Sequence, residues 1–284
     1  MLWNVLSPKN ELILNNKVTE SSEELTPTAP FELDVVFLPR SVSPDSLAGK
    51  TVIVVDVLRA TTTITNALAN GCHQVLPQPS VEAAREAHQN FDGEALIGGE
   101  RGGKIVDGFH NGNSPIEYTA DVIANMTLIL ATTNGTVAME HCRQANRILI
   151  GAMVNLGAVA KVVEDARQVT VLCSGTDQVI TSEDVLFAGG LMDRLIEIRT
   201  AAGKPVGTIK DTTKMAVDHW RATKSAVDAG TPLADFFRNA RGGINLVKIG
   251  HDADIEFAAN IDSVSVVPEL DKDSWSIHLT NPNQ

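Results

Sequence analysis

The chain has 284 residues, 43% of them hydrophobic and 20% charged, with a net charge of −12 and a pI near 5.0. That length buries a full core as one large α/β domain or two smaller ones, and the acidity excludes broad nucleic-acid or anionic-membrane binding while leaving room for a local cationic pocket. Cys72, Cys142 and Cys173 are scattered without a C-x-x-C pair, so neither a disulfide framework nor a structural zinc site is signalled. No apolar run approaches a membrane span and no secretory leader pattern opens the chain, so a soluble, cytoplasmic protein without membrane contact is expected.

Residues 1–30 are polar and without period, which predicts a flexible N-terminal arm. The domain proper is expected over residues 31–270, with a division into two lobes near residues 145–180 and a tail over 271–284. Leu33 to Leu38 reads as the first strand. The β-branched run Val52 to Val55 reads as a strand buried on both faces. It delivers Asp56 and Arg59 at its end, and Thr61, Thr62 and Thr63 open a helix that Gly71 terminates. A short strand at Val75 and Leu76 precedes a helix from Val81 to His88 capped by Ser80. Ala95 to Gly98 runs into a glycine-rich loop with Glu100, Arg101 and His110, and Ser114-Pro115 starts a helix to about Ala124.

Thr127 to Ala131 is again a buried-type strand, ending in Thr132-Thr133-Asn134-Gly135-Thr136, with a helix to about Cys142. Arg147 to Ile150, a helix from Asn155 to Glu164, and Val169 to Cys173 followed by Ser174-Gly175-Thr176-Asp177 repeat the pattern. Alternation of this kind predicts an α/β fold with mostly parallel sheets and helices on both faces. Glu183 to Ile198 reads as one amphipathic helix, the chain stays helical to Leu246, and Val264 to Val267, stopped by Pro268, reads as the last strand.

The strand ends at Asp56, Glu100, Thr132 and Ser174 carry acids, hydroxyls or glycines that lead into helices. Ligands bind at such places in open α/β sheets. Each feature also has a plainer reading. Asp56 and Thr61 serve equally as helix caps, Glu183 and Asp184 as acids complementing a helix dipole, and Glu100 with Arg101 as a salt-bridged turn. Adjacent acids such as Glu183 and Asp184 point about 100° apart on a helix and rarely serve one metal as a pair. Cys173 reads as a small buried hydrophobe rather than a nucleophile, and of the histidines only His110 sits where it could join a site. The P-loop and Rossmann fingerprints are absent, which disfavours a nucleotide-dependent kinase or dehydrogenase.

Taken together, Val54-Val55-Asp56-Val57-Leu58-Arg59-Ala60-Thr61-Thr62-Thr63, Gly99-Glu100-Arg101-Gly102-Gly103, Gly112-Asn113-Ser114-Pro115, Thr132-Thr133-Asn134-Gly135-Thr136, Ser174-Gly175-Thr176 with Ser182-Glu183-Asp184, and Asp262-Ser263 with Val266-Val267-Pro268 resemble the 2-phosphosulfolactate phosphatase (ComB) family. Phe109-His110-Asn111, Thr181 and the long N-terminal arm depart from the family pattern. The resemblance implies a ComB-like fold with the active site between two α/β lobes. It also implies a Mg²⁺-dependent phosphoric monoester hydrolase converting 2-phospho-3-sulfolactate, or a related 2-hydroxy-acid phosphate, to 3-sulfolactate and phosphate, a step towards coenzyme M. On that reading Asp56, Glu100 and Arg59 are catalytic. Asp56, Glu100, Glu183 and Asp184 hold the metal, and Arg101, Thr61, Thr62, Asn134, Gly135, Thr136, Gly175 and Thr176 bind substrate. The partner is the small phosphorylated substrate, with no nucleic acid, and a homodimer is compatible with the sequence. The rival expectation is a non-catalytic small-anion binding protein built from the same loops.

Overall fold

The computed structural model describes residues 31–280, so the expected arm and the last residues of the expected tail lie outside the described residues. The strands are β1 (Glu32–Val36), β2 (Thr51–Val55), β3 (Gln74–Gln78), β4 (Ala95–Arg101), β5 (Lys104–Ile105), β6 (Thr127–Ala131), β7 (Arg147–Gly151), β8 (Gln168–Cys173), β9 (Thr208–Ile209), β10 (Pro268–Asp271) and β11 (Ser276–Leu279). They form one sheet in the order β5-β4-β6-β3-β11-β10-β7-β2-β8-β1-β9. Two parallel blocks, β4-β6-β3 and β7-β2-β8-β1-β9, are joined by the antiparallel hairpin β10-β11.

β2 lies in the middle of the larger block, and its apolar run is explained by burial on both faces. Val52 and Val54 belong to one core cluster, Ile53 and Val55 to the other. The first cluster is closed by helix α1 (Ala60–Ala69), through Ile64, Ala67 and Leu68 at helical spacing. After α2 (Val81–Asn90), α3 (Ala120–Ile123) and α4 (Gly135–His141), the other face is covered by α5 (Leu156–Val163), α6 (Ser182–Ala201) and α7 (Asp211–Asp228). Leu156, Val159, Ala160 and Val163 form the buried stripe of α5. At Gly189 a Cβ would stand 2.1 Å from the Ala216 carbonyl oxygen, so α6 and α7 cross at a distance that only glycine permits. Short helices α8 (Leu233–Asn239), α9 (Arg241–Lys248) and α10 (Asp252–Ala258) follow.

Three successive antiparallel pairings separate the blocks, so their strands run in opposite senses along the ladder. The carboxyl ends of β2 and β6 nevertheless meet, because a Cβ on Gly135 would lie 3.2 Å from Asp56 Oδ2. The two strand ends border one cleft, lined by Asp56 from the first and Asn134 from the second. The blocks interleave in sequence, with β1 and β2 beside β7 and β8, so no cut near residues 145–180 separates them.

Several boundaries differ from expectation. The β-branched run Val264 to Val267 is not a strand; the ladder begins at Pro268, and β11 lies inside the expected tail as the bridge between β3 and β10. Its alternation is short and polar, which hides it among tail residues. The helix expected from Ser114 to Ala124 is broken into a 3-10 turn, Pro115–Glu117, and α3. No helix of the described residues is long and apolar enough to cross a membrane.

Candidate active site

The turn after β2 is held by its own threonines. Thr61 Oγ1 accepts from the Asp56 N–H at 3.0 Å and donates to the Asp56 carbonyl at 2.9 Å, while Thr62 Oγ1 donates to the Val57 carbonyl at 2.8 Å. Both threonines are fully buried and absent from the cleft lining, so their hydroxyls shape the turn instead of holding substrate. Asp56 itself caps α1 through the Ala60 N–H at 3.3 Å, and its carboxyl also lines the cleft. Capping and functional readings coincide in this one side chain. Burial is the main force pushing the Asp56 carboxyl up to about 7; the Glu100 and Glu183 charges add to it, and the amides of Ala60 and Gly135 oppose it.

The pair at the start of α6 divides its work. Asp184 accepts from the Val57 N–H at 2.9 Å and from the Gly175 N–H at 2.9 Å, one on each oxygen. It ties the β2 and β8 loops together, which replaces its expected role as a metal ligand. Burial, and then the Asp56 and Glu183 charges, still push its carboxyl up against those amides. Gly175 reaches Asp184 with φ +69°, where a Cβ would strike Leu38 at 2.4 Å. It serves as a staple and not as a substrate amide. Glu183 accepts from the Thr181 hydroxyl through Oε2, while its buried Oε1 has no partner. Burial pushes this carboxyl up to about 6. Cys173, also buried, is pushed well above the ordinary thiol range by burial and then by Asp184 and Glu183, which rules against a thiolate nucleophile.

Glu100 is fixed on the opposite wall. Its Oε2 accepts from the Gly103 N–H at 2.8 Å, and Oε1 accepts from the Thr133 hydroxyl at 2.7 Å and its N–H at 3.2 Å. Asn134 Oδ1 accepts from the Asp177 N–H at 3.3 Å, which leaves its NH₂ as the free donor end. Thr136 bonds Thr132 at 3.0 Å, oxygen to oxygen, and is buried behind the wall. Gly135 packs on Asp56 and Ala60, so both residues support the site from behind. His110 is structural: Nδ1 accepts from the Ile97 N–H at 3.1 Å and pins the loop to β4.

Arg59, expected to grip an anion directly, is largely committed. Its Nη1 donates to Asp254 Oδ2 at 2.6 Å and Nη2 to the Gly103 carbonyl at 2.7 Å. Ser114 donates to the other oxygen of Asp254, and both ends of the Arg59–Asp254 ion pair are buried. Arg59 thus lines the cleft as a fixed cation whose charge is matched from α10.

The resulting cleft has a volume of about 730 Å³. Asp56, Arg59, Glu100, Arg101, Asn134 and Thr176 of the expected set line it. Asp177, Gly242, Asn245 and Lys248 line it too, and with Asp254 they are the residues that sequence reasoning missed. Of these only Gly242, beside Gly243 at the start of α9, carries a local signal in its small size: a Cβ there would lie 2.1 Å from Glu183 Oε1, which would have to shift to admit it. Among the described residues no group of three or more His, Cys, Asp or Glu side chains is placed to hold a metal ion, so the expected four-carboxylate set is not assembled. A sparser set fits Mg²⁺, which takes one or two carboxylates with phosphate oxygens and water. Asp56 and Glu100 face one cleft, and the unpartnered Glu183 Oε1 lies beneath Gly242.

A family model described as 2-phosphosulpholactate phosphatase matches residues 36–273. The probable 2-phosphosulfolactate phosphatase of Clostridium novyi is 32% identical over 240 residues, covering 84% of this chain and 97% of that protein. The proteins of the same name from Synechococcus sp. and Symbiobacterium thermophilum are 37% identical over 237 residues (81% and 91% covered) and 36% over 228 residues (79% and 92% covered). With most of its length matched in both ways, the chain belongs to the 2-phosphosulfolactate phosphatase family of phosphoric monoester hydrolases.

Proposed function

We propose that the protein hydrolyses 2-phospho-3-sulfolactate, or a closely related 2-hydroxy-acid phosphate, to the hydroxy acid and inorganic phosphate, with Mg²⁺ held by Asp56 and Glu100 and supported by Glu183. The observation that carries this reading is the buried Asp56 carboxyl, lodged at the carboxyl end of β2 and open to a cleft that Glu100 shares. A bound Mg²⁺ supplies neutralisation of phosphate charge and a lowered pKa for bound water. The chain's own groups do the rest. Asp56, whose carboxyl burial pushes up to about 7, would hold the cation in its deprotonated form. Glu100 is held in one orientation by Gly103 and Thr133. The Asn134 NH₂ and Thr176 line the wall where phosphate oxygens need donors. The setting proposed is cytoplasmic, with the small anionic substrate as the partner.

The test is phosphate release from 2-phosphosulfolactate by the purified protein, with Mg²⁺ and with EDTA. Release that requires Mg²⁺ supports the reading. Ligand-induced thermal stabilisation without any release would instead establish a small-anion binding protein.

A further inference from the structure

The cleft has an acidic floor and a separate cationic rim. Arg59 contributes little free charge, because Asp254 neutralises it. Two other cations line the cleft, Arg101 and Lys248, and among the described residues neither is in a salt bridge. They belong to neighbouring elements, since a Cβ on Gly103 would lie 2.5 Å from Ile249 Cδ1. The glycine loop that carries Arg101 therefore touches the end of α9 that carries Lys248.

Helix α9 is seated at its start by two glycines and at its end by Ile249 against Gly103. Gly242 lies against Glu183 Oε1, and a Cβ on Gly243 would stand 1.9 Å from the Phe237 carbonyl oxygen, so Gly243 cannot gain a side chain without moving the backbone. Gly242, Asn245 and Lys248 recur at three-residue spacing, and all three line the cleft. From Gly242 to Lys248 the helix rises roughly 9 Å, the product of six residues and the helical rise. One end of this stripe lies over the acidic floor, and the other presents an amide and then an ammonium.

We infer that α9 is the specificity element of the cleft: Lys248, with Asn245 beside it and Arg101 across from it, binds the sulfonate that the substrate carries beyond its phosphorylated carbon. The inference rests on the phosphatase reading above and deepens it. A phosphate at the floor extends a second strong anion along α9, and an unpaired lysine is the group that recognises it. The preferred substrates are phosphate esters with a sulfonate on the distal carbon, over otherwise identical esters that end in a methyl group.

The experiment compares 2-phosphosulfolactate with 2-phospholactate, which lacks only the sulfonate. Wild-type protein is expected to prefer the first by about 10- to 100-fold in kcat/KM, the range of one charge-assisted contact. In Lys248→Met, which keeps the helical stem, that ratio collapses to within a few-fold. Lys161→Met, on α5 and outside the cleft lining, controls for net charge. A ratio that stays at the wild-type level in Lys248→Met overturns the inference. Failure of wild-type protein to hydrolyse either ester overturns the phosphatase reading instead, and the inference is then read from binding. In that case 3-sulfolactate raises the Tm of wild type more than that of Lys248→Met, and equal shifts overturn it.

Discussion

The turn after β2 and the helix α9 border the same cleft, but they are held there by different kinds of contact. The turn is closed locally: Asp56, Thr61 and Thr62 bond within a few residues of one another, on a strand whose side chains are all buried. α9 is seated on its neighbour α8 through Phe237 and placed over the cleft by contacts from far along the chain, to Glu183 and Gly103. Local closure makes a rigid floor suited to a metal and a phosphate, whereas a helix laid across by tertiary packing can vary in its exposed residues without disturbing that floor. The floor fixes the reaction, and α9 adjusts which ester enters.

The sharpest way to break this division is at Asp254, which holds Arg59 from α10, the helix packed against α9. Asp254→Ala leaves a buried guanidinium without its counter-charge and is expected to cost about 3–5 kcal/mol in denaturant unfolding. A loss below about 1 kcal/mol would show that α10 is not coupled to the floor. Next in size is a pH effect on the metal-free protein. Asp56 titrates at about 7 in the folded chain against an ordinary 3.8. The folded state therefore binds the extra proton between those values. Its stabilisation is full below the lower value and is lost as pH rises through the upper one, on the order of 4 kcal/mol. Glu183, pushed up to about 6, acts in the same direction. The Tm should fall between pH 5 and pH 8, and Asp56→Asn should flatten most of that slope; an unchanged slope would remove Asp56 as its source. Smaller again is Gly242→Ala, whose Cβ overlaps Glu183 Oε1. It should cost about 1 kcal/mol and reduce turnover, because the Glu183 carboxylate must shift from its place beneath α9. Full activity in this variant would mean that the position of Glu183 does not matter to the reaction.

The same contrast explains what was legible in the sequence. Asp56, Glu100, Asn134 and Thr176 stand at the ends of strands whose hydrophobic runs announce them, and all reach the cleft. Arg59 and Asp184 were visible as residues but not in their roles, because their partners come from far along the chain: Asp254 for the first, and the Val57 amide for the second. Lys248 and Asn245 carry no local pattern beyond an amphipathic helix, so nothing distinguished them from a solvated face. The hairpin β10-β11 escaped for a related reason. Pro268-Glu269-Leu270-Asp271 is too short and polar to read as a strand until β7 and β11 flank it. Val264 to Val267 has the composition of a strand but is bonded to the Val154 carbonyl outside the ladder.

If Asp56 is the group on which Mg²⁺-dependent hydrolysis turns, Asp56→Asn removes it at the least cost in shape. With saturating Mg²⁺, steady-state phosphate release from 2-phosphosulfolactate should fall by about three orders of magnitude, while the folded secondary structure seen by circular dichroism is retained. Turnover within a few-fold of wild type in the folded variant would contradict the account.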